Sequence, residues 1–130
     1  TFHDSCNVAR ASRMGDTPGG QFEIPRNIIK AVANKYVEMA SGTTREATFC
    51  CGGGGGLLTD ELIELRVKGA LPRMEALKQV VDQQGVNFMA TICAICKAQF
   101  TKVLPYYKFN RGMVGGVHQL VSTAIRLGDK

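Results

Sequence analysis

The chain has 130 residues, of which 45% are hydrophobic, 21% charged and 7% aromatic, and its formal net charge is +5. This composition excludes a highly charged disordered segment, and the basic residues form no run that would favour nucleic-acid binding. No apolar run approaches the roughly 20 residues of a membrane-spanning helix. We therefore predict one soluble globular domain over residues 1–130, without a nucleic-acid partner and without a direct membrane span.

The start of the chain and its cysteines indicate the compartment. The chain opens without a targeting sequence, in residues typical of the end of a buried strand, so we expect the C-terminal part of a larger protein. The cysteines are Cys6, Cys50, Cys51, Cys93 and Cys96. Their odd number, the vicinal pair and the C-x-x-C spacing are untypical of a secreted disulfide scaffold, which favours a reducing cytoplasm.

The first predicted element is an amphipathic helix. Apolar residues recur at three- and four-residue spacing from Pro25, a suitable first helical residue, up to Gly42. Residues 47–50 then predict a short strand that leads into a run of five glycines.

A second helical segment is expected after the glycines. Thr59 can cap its start, and Leu65 is expected to face the core. Gly69 and Pro72 interrupt the pattern before the periodicity resumes and ends near Gly85. The segment is therefore either one kinked helix or two helices.

Strands and helices alternate in the last third of the chain. Residues 86–92 predict a strand buried on both faces, and residues 94–104 predict a helix that Pro105 stops. A short strand is expected between residues 107 and 114, and a last helix over residues 117–127.

This order predicts an α/β fold with Rossmann-like layers. A mostly parallel sheet of about four strands would carry helices on both faces. In such sheets, binding sites form at the carboxyl ends of the strands. Four of the cysteines, distant in sequence, are expected to converge there: Cys6, Cys50, Cys51 and Cys93.

The residues alone leave several interpretations of the cysteines open. They could be small buried hydrophobic residues, or Cys93 and Cys96 could form a thioredoxin-like redox pair at a helix start. A zinc site would use the C-x-x-C motif, but zinc takes only four ligands, and the adjacent Cys50 and Cys51 should point in opposite directions in an extended segment. A cluster of several irons could use both vicinal thiols, and amides at the helix start could hydrogen-bond to it.

The glycine run is not a nucleotide-binding loop of the usual kinds. It lacks the Lys-Ser/Thr of a phosphate-binding loop, and it contains no G-x-G-x-x-G register. One interpretation is a flexible surface loop. The other is that the side-chain-free backbone of Gly52, Gly53 and Gly54 lets peptide amides approach a bulky inorganic cluster closely.

Taken together, these residues resemble a known family, the cysteine-rich CCG domain of heterodisulfide reductase catalytic subunits. The resemblance covers nearly the whole chain through the segments TFHDSCNVAR, CCGGGGG and TICAICKAQF. The family motif HDPC appears here with Ser5 in place of proline. Within the family, the same segments look closest to iron–sulfur subunits of the membrane complex associated with dissimilatory sulfur metabolism.

The resemblance implies a cofactor, a reaction and partners. The cofactor would be a [4Fe-4S] cluster, noncubane or closely related, on all five cysteines, and some related domains hold zinc instead. The reaction would reduce or oxidise a disulfide or trisulfide. The partners would be quinone-oxidising or cytochrome subunits of a membrane complex and a small sulfur-carrier protein with reactive cysteines, which implies a cytoplasmic domain associated with the membrane through other subunits.

Five further polar residues are candidates for roles near the cysteines. His3 could hydrogen-bond to a cluster sulfide or donate a proton to a leaving thiolate, or its ring could be structural. Asp4 is expected to tether a loop. Arg10, Arg26 and Arg66 could balance an anionic cluster, although a solvated surface role is the alternative for each.

Overall fold

The computed structural model describes residues 1–14, 17–18 and 21–125. Its strands are β1 (Phe2–His3), β2 (Arg13–Met14), β3 (Thr17–Pro18), β4 (Met89–Thr91) and β5 (Val114–Gly116). Its helices are α1 (Glu23–Val32), α2 (Ile63–Gln84), α3 (Ala94–Val103) and α4 (Val117–Ala124). One π-helical turn, Cys6–Arg10, follows β1.

A small parallel sheet lies at the centre of the fold, with its strands in the order β1-β4-β5. Phe2 and His3 of β1 lie opposite Ala90 and Thr91 of β4. All three residues of β4 are buried, as predicted, because helices cover both faces of this central strand. The predicted parallel sheet is confirmed, with three strands instead of about four, while β2 and β3 form a separate antiparallel pair.

Two apolar layers enclose the sheet. On one face, Phe2 and Ala90 pack with Ile29 of α1 and Val117 of α4. On the other face, Met89 packs with residues of α2 and α3 that include Met74, Leu77 and Phe100. Alternate residues of a strand point to opposite faces, so the two-sided arrangement of helices follows from the strand pattern.

No strand forms over residues 47–50, and that prediction was wrong. Arg45–Ala47 is a 3-10 turn, and the chain beyond it has no ladder partner. Side-chain contacts take the place of strand pairing. The Asp4 carboxylate accepts a hydrogen bond from the Arg45 backbone N–H at 2.8 Å, and the Asp4 carbonyl accepts one from the Thr48 hydroxyl at 2.8 Å.

Helix α1 ends at Val32, and the prediction that it continues up to Gly42 was wrong. Ala33 adopts an extended conformation, with φ −96° and ψ 144°. The chain then turns back on the helix, so that Glu38 accepts hydrogen bonds from the Arg26 guanidinium at 2.8 and 2.9 Å. This ion pair holds the returning segment extended despite its helix-like spacing of apolar residues.

Helix α2 is one continuous helix that runs through Gly69 and Pro72, which settles one of the two predicted alternatives. It ends as predicted at Gly85, whose φ of +67° terminates the helix. Its start differs from the prediction. Thr59 makes no side-chain cap and precedes a 3-10 turn, which changes the helical register and leaves Leu65 65% exposed instead of facing the core.

The C-terminal elements follow the predicted order. Helix α3 matches its prediction and is followed by a 3-10 turn that contains Pro105. Strand β5 begins only at Val114, the last of the predicted residues 107–114, because 3-10 turns include residues 107 and 111–113. Helix α4 begins as predicted, and residues 126–127 lie outside the described range. None of the described helices is long and apolar enough to cross a membrane.

Candidate functional site

Asp4 joins the two chain segments that carry Cys6 and Cys50. Its carboxylate forms two hydrogen bonds of 2.7 Å with the fully buried guanidinium of Arg26. The same carboxylate and the Asp4 carbonyl hold the segment just before Cys50 through the contacts with Arg45 and Thr48. The expected role of Asp4 as a loop tether is confirmed, and Arg26 is a structural partner instead of a solvated residue.

Cys6 begins the π-helical turn directly after this tether. Ser5 caps the turn, since its hydroxyl accepts a hydrogen bond from the Val8 backbone N–H at 2.9 Å. Arg10, in the same turn and exposed, donates to the Thr48 carbonyl at 3.4 Å. Ser5 therefore caps the turn that begins with the partly buried Cys6.

Three of the five thiols lie close together. Cys51 and Cys96 are buried in the same apolar cluster, Cys50 is the chain neighbour of Cys51, and all five cysteines are free thiols. The Cys51 thiol, together with burial, raises the pKa of the Cys50 thiol. For Cys51, the Cys50 thiol lowers the pKa, but the Cys96 thiol and burial raise it to about 12. Cys50 and Cys51 are therefore protonated in this state, and a bound metal would displace protons from them.

Cys50 and Cys51 differ in exposure. The Cys50 side chain is exposed, whereas the Cys51 side chain is buried. The chain turns directly after them at Gly52, whose φ is +87°. Each sulfur is also held by a peptide N–H, from Gly52 to Cys50 Sγ at 3.3 Å and from Gly53 to Cys51 Sγ at 3.4 Å.

The glycine run is packed against two helices at its beginning. A Cβ atom on Gly52 would lie 2.7 Å from the backbone nitrogen of Ala70 and 2.7 Å from the carbonyl oxygen of Arg66, both in α2. A Cβ atom on Gly53 would lie 3.2 Å from Cys51 Sγ and 3.3 Å from the Ile95 side chain in α3. Gly52 is therefore required by close helix packing, and its neighbours keep peptide N–H groups close to sulfur.

Cys93 and Cys96 lie at the start of α3. Cys93 is the partly buried N-cap residue, and no side chain caps this helix, so its first peptide N–H groups and the positive end of its dipole face the cysteines. Cys96, one turn later, is buried in the same apolar cluster as Cys51. Among the residues that the structure describes, no three His, Cys, Asp or Glu side chains are arranged to hold a single metal ion.

His3 is fully buried beside this group. Its ring packs edge-on against Phe100, with 4.8 Å between the centroids, and Phe100 lies one turn beyond Cys96 on α3. Neither ring nitrogen has a hydrogen-bond partner. Burial, and then the nearby positive charge of Arg73, lower the pKa of His3 well below 6.5, so the ring is neutral at pH 7.

Two buried residues of the site were not predicted. Arg73 of α2 lies fully buried between the Cys50 segment and His3, and it donates to Thr48 Oγ1 at 3.1 Å and to the Thr43 carbonyl. Gln99 of α3 donates to the Cys51 carbonyl at 3.0 Å. A signal was present in each case, since both polar residues fall on the predicted apolar face of a helix.

Gln99 also fixes Arg66, which the sequence left between a surface role and a charge-balancing role. The Arg66 Nε donates to Gln99 Oε1 at 2.8 Å, and its guanidinium donates to the Thr59 carbonyl at 3.0 Å. Arg66 is buried and links α2 to α3 behind the glycines. Its role in this structure is to hold the walls of the site together.

The donors at this site fit an iron–sulfur cluster. Cys51 and Cys96 lie in one buried cluster, Cys6 and Cys93 follow paired strands, and peptide N–H groups point at the sulfurs of Cys50 and Cys51. Both ring nitrogens of His3 and the Nε of Arg73 are buried without a partner, which suits an anionic, sulfur-rich group at their side. The candidate ligands are Cys6, Cys50, Cys51, Cys93 and Cys96.

Comparison with known proteins gives a consistent match. The profile of the cysteine-rich domain family designated CCG matches residues 1–101. An Hdr-like menaquinol oxidoreductase iron-sulfur subunit of Archaeoglobus profundus is 45% identical over 98% of this chain. Hdr-like menaquinol oxidoreductase iron-sulfur subunit 2 of Archaeoglobus fulgidus is 43% identical over 96% of it.

A more distant relative is a probable membrane-anchored ferredoxin of Chromohalobacter salexigens, 29% identical over 96% of this chain. The chain spans 21% of the length of each archaeal relative and 17% of the length of this ferredoxin. No solved structure matches the chain.

Proposed function

The chain belongs to the cysteine-rich CCG domain family, and we propose on that premise that it is the iron–sulfur redox domain of a larger oxidoreductase. Its cofactor is a [4Fe-4S] cluster, of noncubane or closely related type, bound by the five cysteines. When bound, such a cluster takes up and passes on electrons one at a time. The observation that carries the proposal is the burial of Cys51 and Cys96 in one cluster, where the Gly53 peptide N–H donates to Cys51 Sγ at 3.4 Å.

The proposed reaction is the reduction or oxidation of a sulfur–sulfur bond. Reduction of a disulfide breaks one S–S bond with two electrons and two protons and yields two thiols; a trisulfide yields a thiol and a persulfide. A quinol supplies both electrons and both protons when it is oxidised to the quinone. In the opposite direction, two thiols become a disulfide and a quinone accepts the electrons and protons.

The proposed partners follow from the relatives and from the sequence resemblance. The archaeal relatives are named as subunits of menaquinol oxidoreductases, which favours quinone-oxidising or cytochrome subunits of a membrane complex as partners. The resemblance to subunits of sulfur metabolism favours a small sulfur-carrier protein as the substrate. The domain would then work in the cytoplasm, held at the membrane by other subunits.

Individual residues have distinct roles in this proposal. The amides of Gly52, Gly53 and Gly54 stabilise negative charge on sulfur, and those of Gly52 and Gly53 already donate to cysteine sulfurs. His3 is proposed as a proton donor. Because its buried ring is neutral at pH 7, it would first take up a proton released by the quinol and then pass that proton to the leaving thiolate.

Serine variants of the vicinal cysteines test this function. In the full-length protein, Cys50→Ser and Cys51→Ser should abolish both the electron paramagnetic resonance signal of the cluster and the turnover of a protein trisulfide. Ala94→Ser is the matched control, because it adds a hydroxyl at an exposed position of the C-x-x-C motif without removing a thiol. Turnover that survives in a cysteine variant whose iron is gone would contradict the catalytic assignment.

A structural zinc site is the second candidate function. The C-x-x-C pair favours it, because Cys93 and Cys96 lie within one turn at the start of α3 and their thiols could bind one ion. On this account, the domain is an interaction module of a related oxidoreductase. Purified protein would then contain one zinc per chain and no acid-labile sulfide.

A further inference from the structure

Arg73 is a buried cation whose environment differs from that of the other buried arginines. Arg26 pairs with Asp4 at 2.7 Å, and Arg66 lies 3.6 Å from Asp60. In the described part of the chain, Arg73 forms no ion pair within 4.0 Å, although its side chain is fully buried. The two carboxylates whose charges act on Arg73 are those of Asp4 and Glu38, and both already accept hydrogen bonds from Arg26.

The hydrogen bonds of Arg73 account for only part of its guanidinium. One nitrogen donates to the Thr43 carbonyl and the Thr48 hydroxyl, and another lies 3.1 Å from the sulfur of Met39. The Nε has no partner. A buried guanidinium with weak and incomplete partners is costly, because charge is removed from water without an equal compensating charge.

The missing compensation lies on the side of the cysteines. Burial lowers the pKa of Arg73 to about 10, whereas the negative charges of Asp4, of a Cys96 thiolate and of Glu38 raise it. The residue is therefore still charged at pH 7. It lies beside the Cys50 segment, since it donates to Thr48 Oγ1 at 3.1 Å and its guanidinium is 5.7 Å from the ring centroid of Phe49, which directly precedes Cys50. His3, whose nitrogens also lack partners, lies within the field of the same guanidinium.

We propose that Arg73 is the buried cation that stabilises the reduced, more negative state of the cluster bound by the cysteines, and that it thereby sets the reduction potential. This inference rests on the proposed function. Reduction by one external electron adds one negative charge to the site and breaks no bond. A fixed positive charge in a low-dielectric environment favours that product.

Arg73→Gln is the variant that isolates the charge. Glutamine keeps N–H donors for Thr43 and Thr48 but is neutral, whereas Arg73→Lys keeps the charge and loses the planar fork. Lys78→Met is the matched control, because it removes one positive charge from an exposed position of the same helix. The measurement is a redox titration of the anaerobically loaded full-length protein with dithionite, followed by electron paramagnetic resonance.

The expected result is a tenfold or larger shift of the one-electron equilibrium towards the oxidised state in Arg73→Gln, which is about 59 mV to more negative potential. The reduction potentials of Arg73→Lys and Lys78→Met should differ from that of the wild type by less than about 59 mV. If Arg73→Gln loads no iron while its secondary structure is unchanged, loading of Arg73→Lys supports the same requirement for charge.

Two results would overturn the inference. One is an Arg73→Gln protein that loads iron and titrates at the wild-type potential, which leaves the proposed function intact. The other is loss of loading in both Arg73 variants, since charge alone would then not be what the site needs. A wild-type protein that binds no cluster would overturn the proposed function together with this inference, so the two failures are distinguishable.

Discussion

His3 combines full burial with two ring nitrogens that have no hydrogen-bond partner. An unsatisfied buried polar group costs about 1–3 kcal/mol, so His3 lowers the free energy of unfolding of the metal-free chain. The sequence placed His3 near Cys6 and suggested a role at the cluster. The burial and the lack of partners could not be predicted, because they depend on Phe100 and Arg73 from distant helices.

Replacing His3 with leucine should remove a pH dependence of stability that the buried ring causes in the wild type. The folded state holds the ring neutral, while the unfolded chain binds a proton below about pH 6.5. The wild type should therefore lose up to about 1.4 kcal/mol of stability per pH unit below that value, and the variant should not lose this contribution. Urea unfolding of the metal-free chain at pH 7 and pH 5 measures the difference, and an equal pH dependence in both proteins would contradict the account.

The ion pair between Asp4 and Arg26 holds the Cys6 segment to the Cys50 segment. Asp4→Asn should destabilise the chain by about 1.5–3 kcal/mol, because the buried Arg26 loses one of its two carboxylate partners and keeps only Glu38. Asp82→Asn is the control: it removes an exposed carboxylate paired with Lys78 and should cost less than about 1 kcal/mol. Urea unfolding measures the free energy of unfolding of both variants. Equal losses of stability in the two would contradict the role of Asp4 as a tether.

At the scale of elements, local signals predicted best where a start or stop signal matched the packing. Helix α3 was predicted closely because Pro105 ends it. Helix α1 was predicted too long because apolar spacing cannot show that Glu38 returns to Arg26. The strand expected over residues 47–50 was wrong for a similar reason, since contacts from Asp4 replace the ladder.

The glycine run shows how an element depends on packing as well as on local conformation. Gly52 has φ +87° and lies against the backbone of α2. Gly52→Ala should therefore destabilise the chain by about 2–5 kcal/mol, from backbone strain together with the steric clash. Gly42→Ala is the control, because Gly42 has open space and no positive φ, and should change stability by less than about 0.5 kcal/mol.

Chemical denaturation of the two glycine variants measures this difference. Only Gly52→Ala should show a clearly lower denaturation midpoint, and its Cys50–Cys51 pair should lose contact with α3. A Gly52→Ala chain as stable as Gly42→Ala would mean that the loop does not pack on α2 as described.

At the scale of the whole molecule, parallel strands and side-chain tethers bring the cysteines together by different routes. Cys6 and Cys93 follow the neighbouring strands β1 and β4, as the sequence predicted from the rule for parallel sheets. Cys50 and Cys51 reach the same region without a strand, through Asp4, Thr48 and the packing of the glycines. The sequence therefore predicted how Cys6 and Cys93 are positioned, but not how Cys50 and Cys51 are.

Metal analysis of the anaerobically purified full-length protein tests whether the five cysteines bind an iron–sulfur cluster. The protein should be brown, absorb broadly in the visible and contain iron and acid-labile sulfide, both lost in Cys51→Ser and kept in Ala94→Ser. A colourless protein with one zinc per chain and no sulfide, even after anaerobic reconstitution with iron and sulfide, would contradict it.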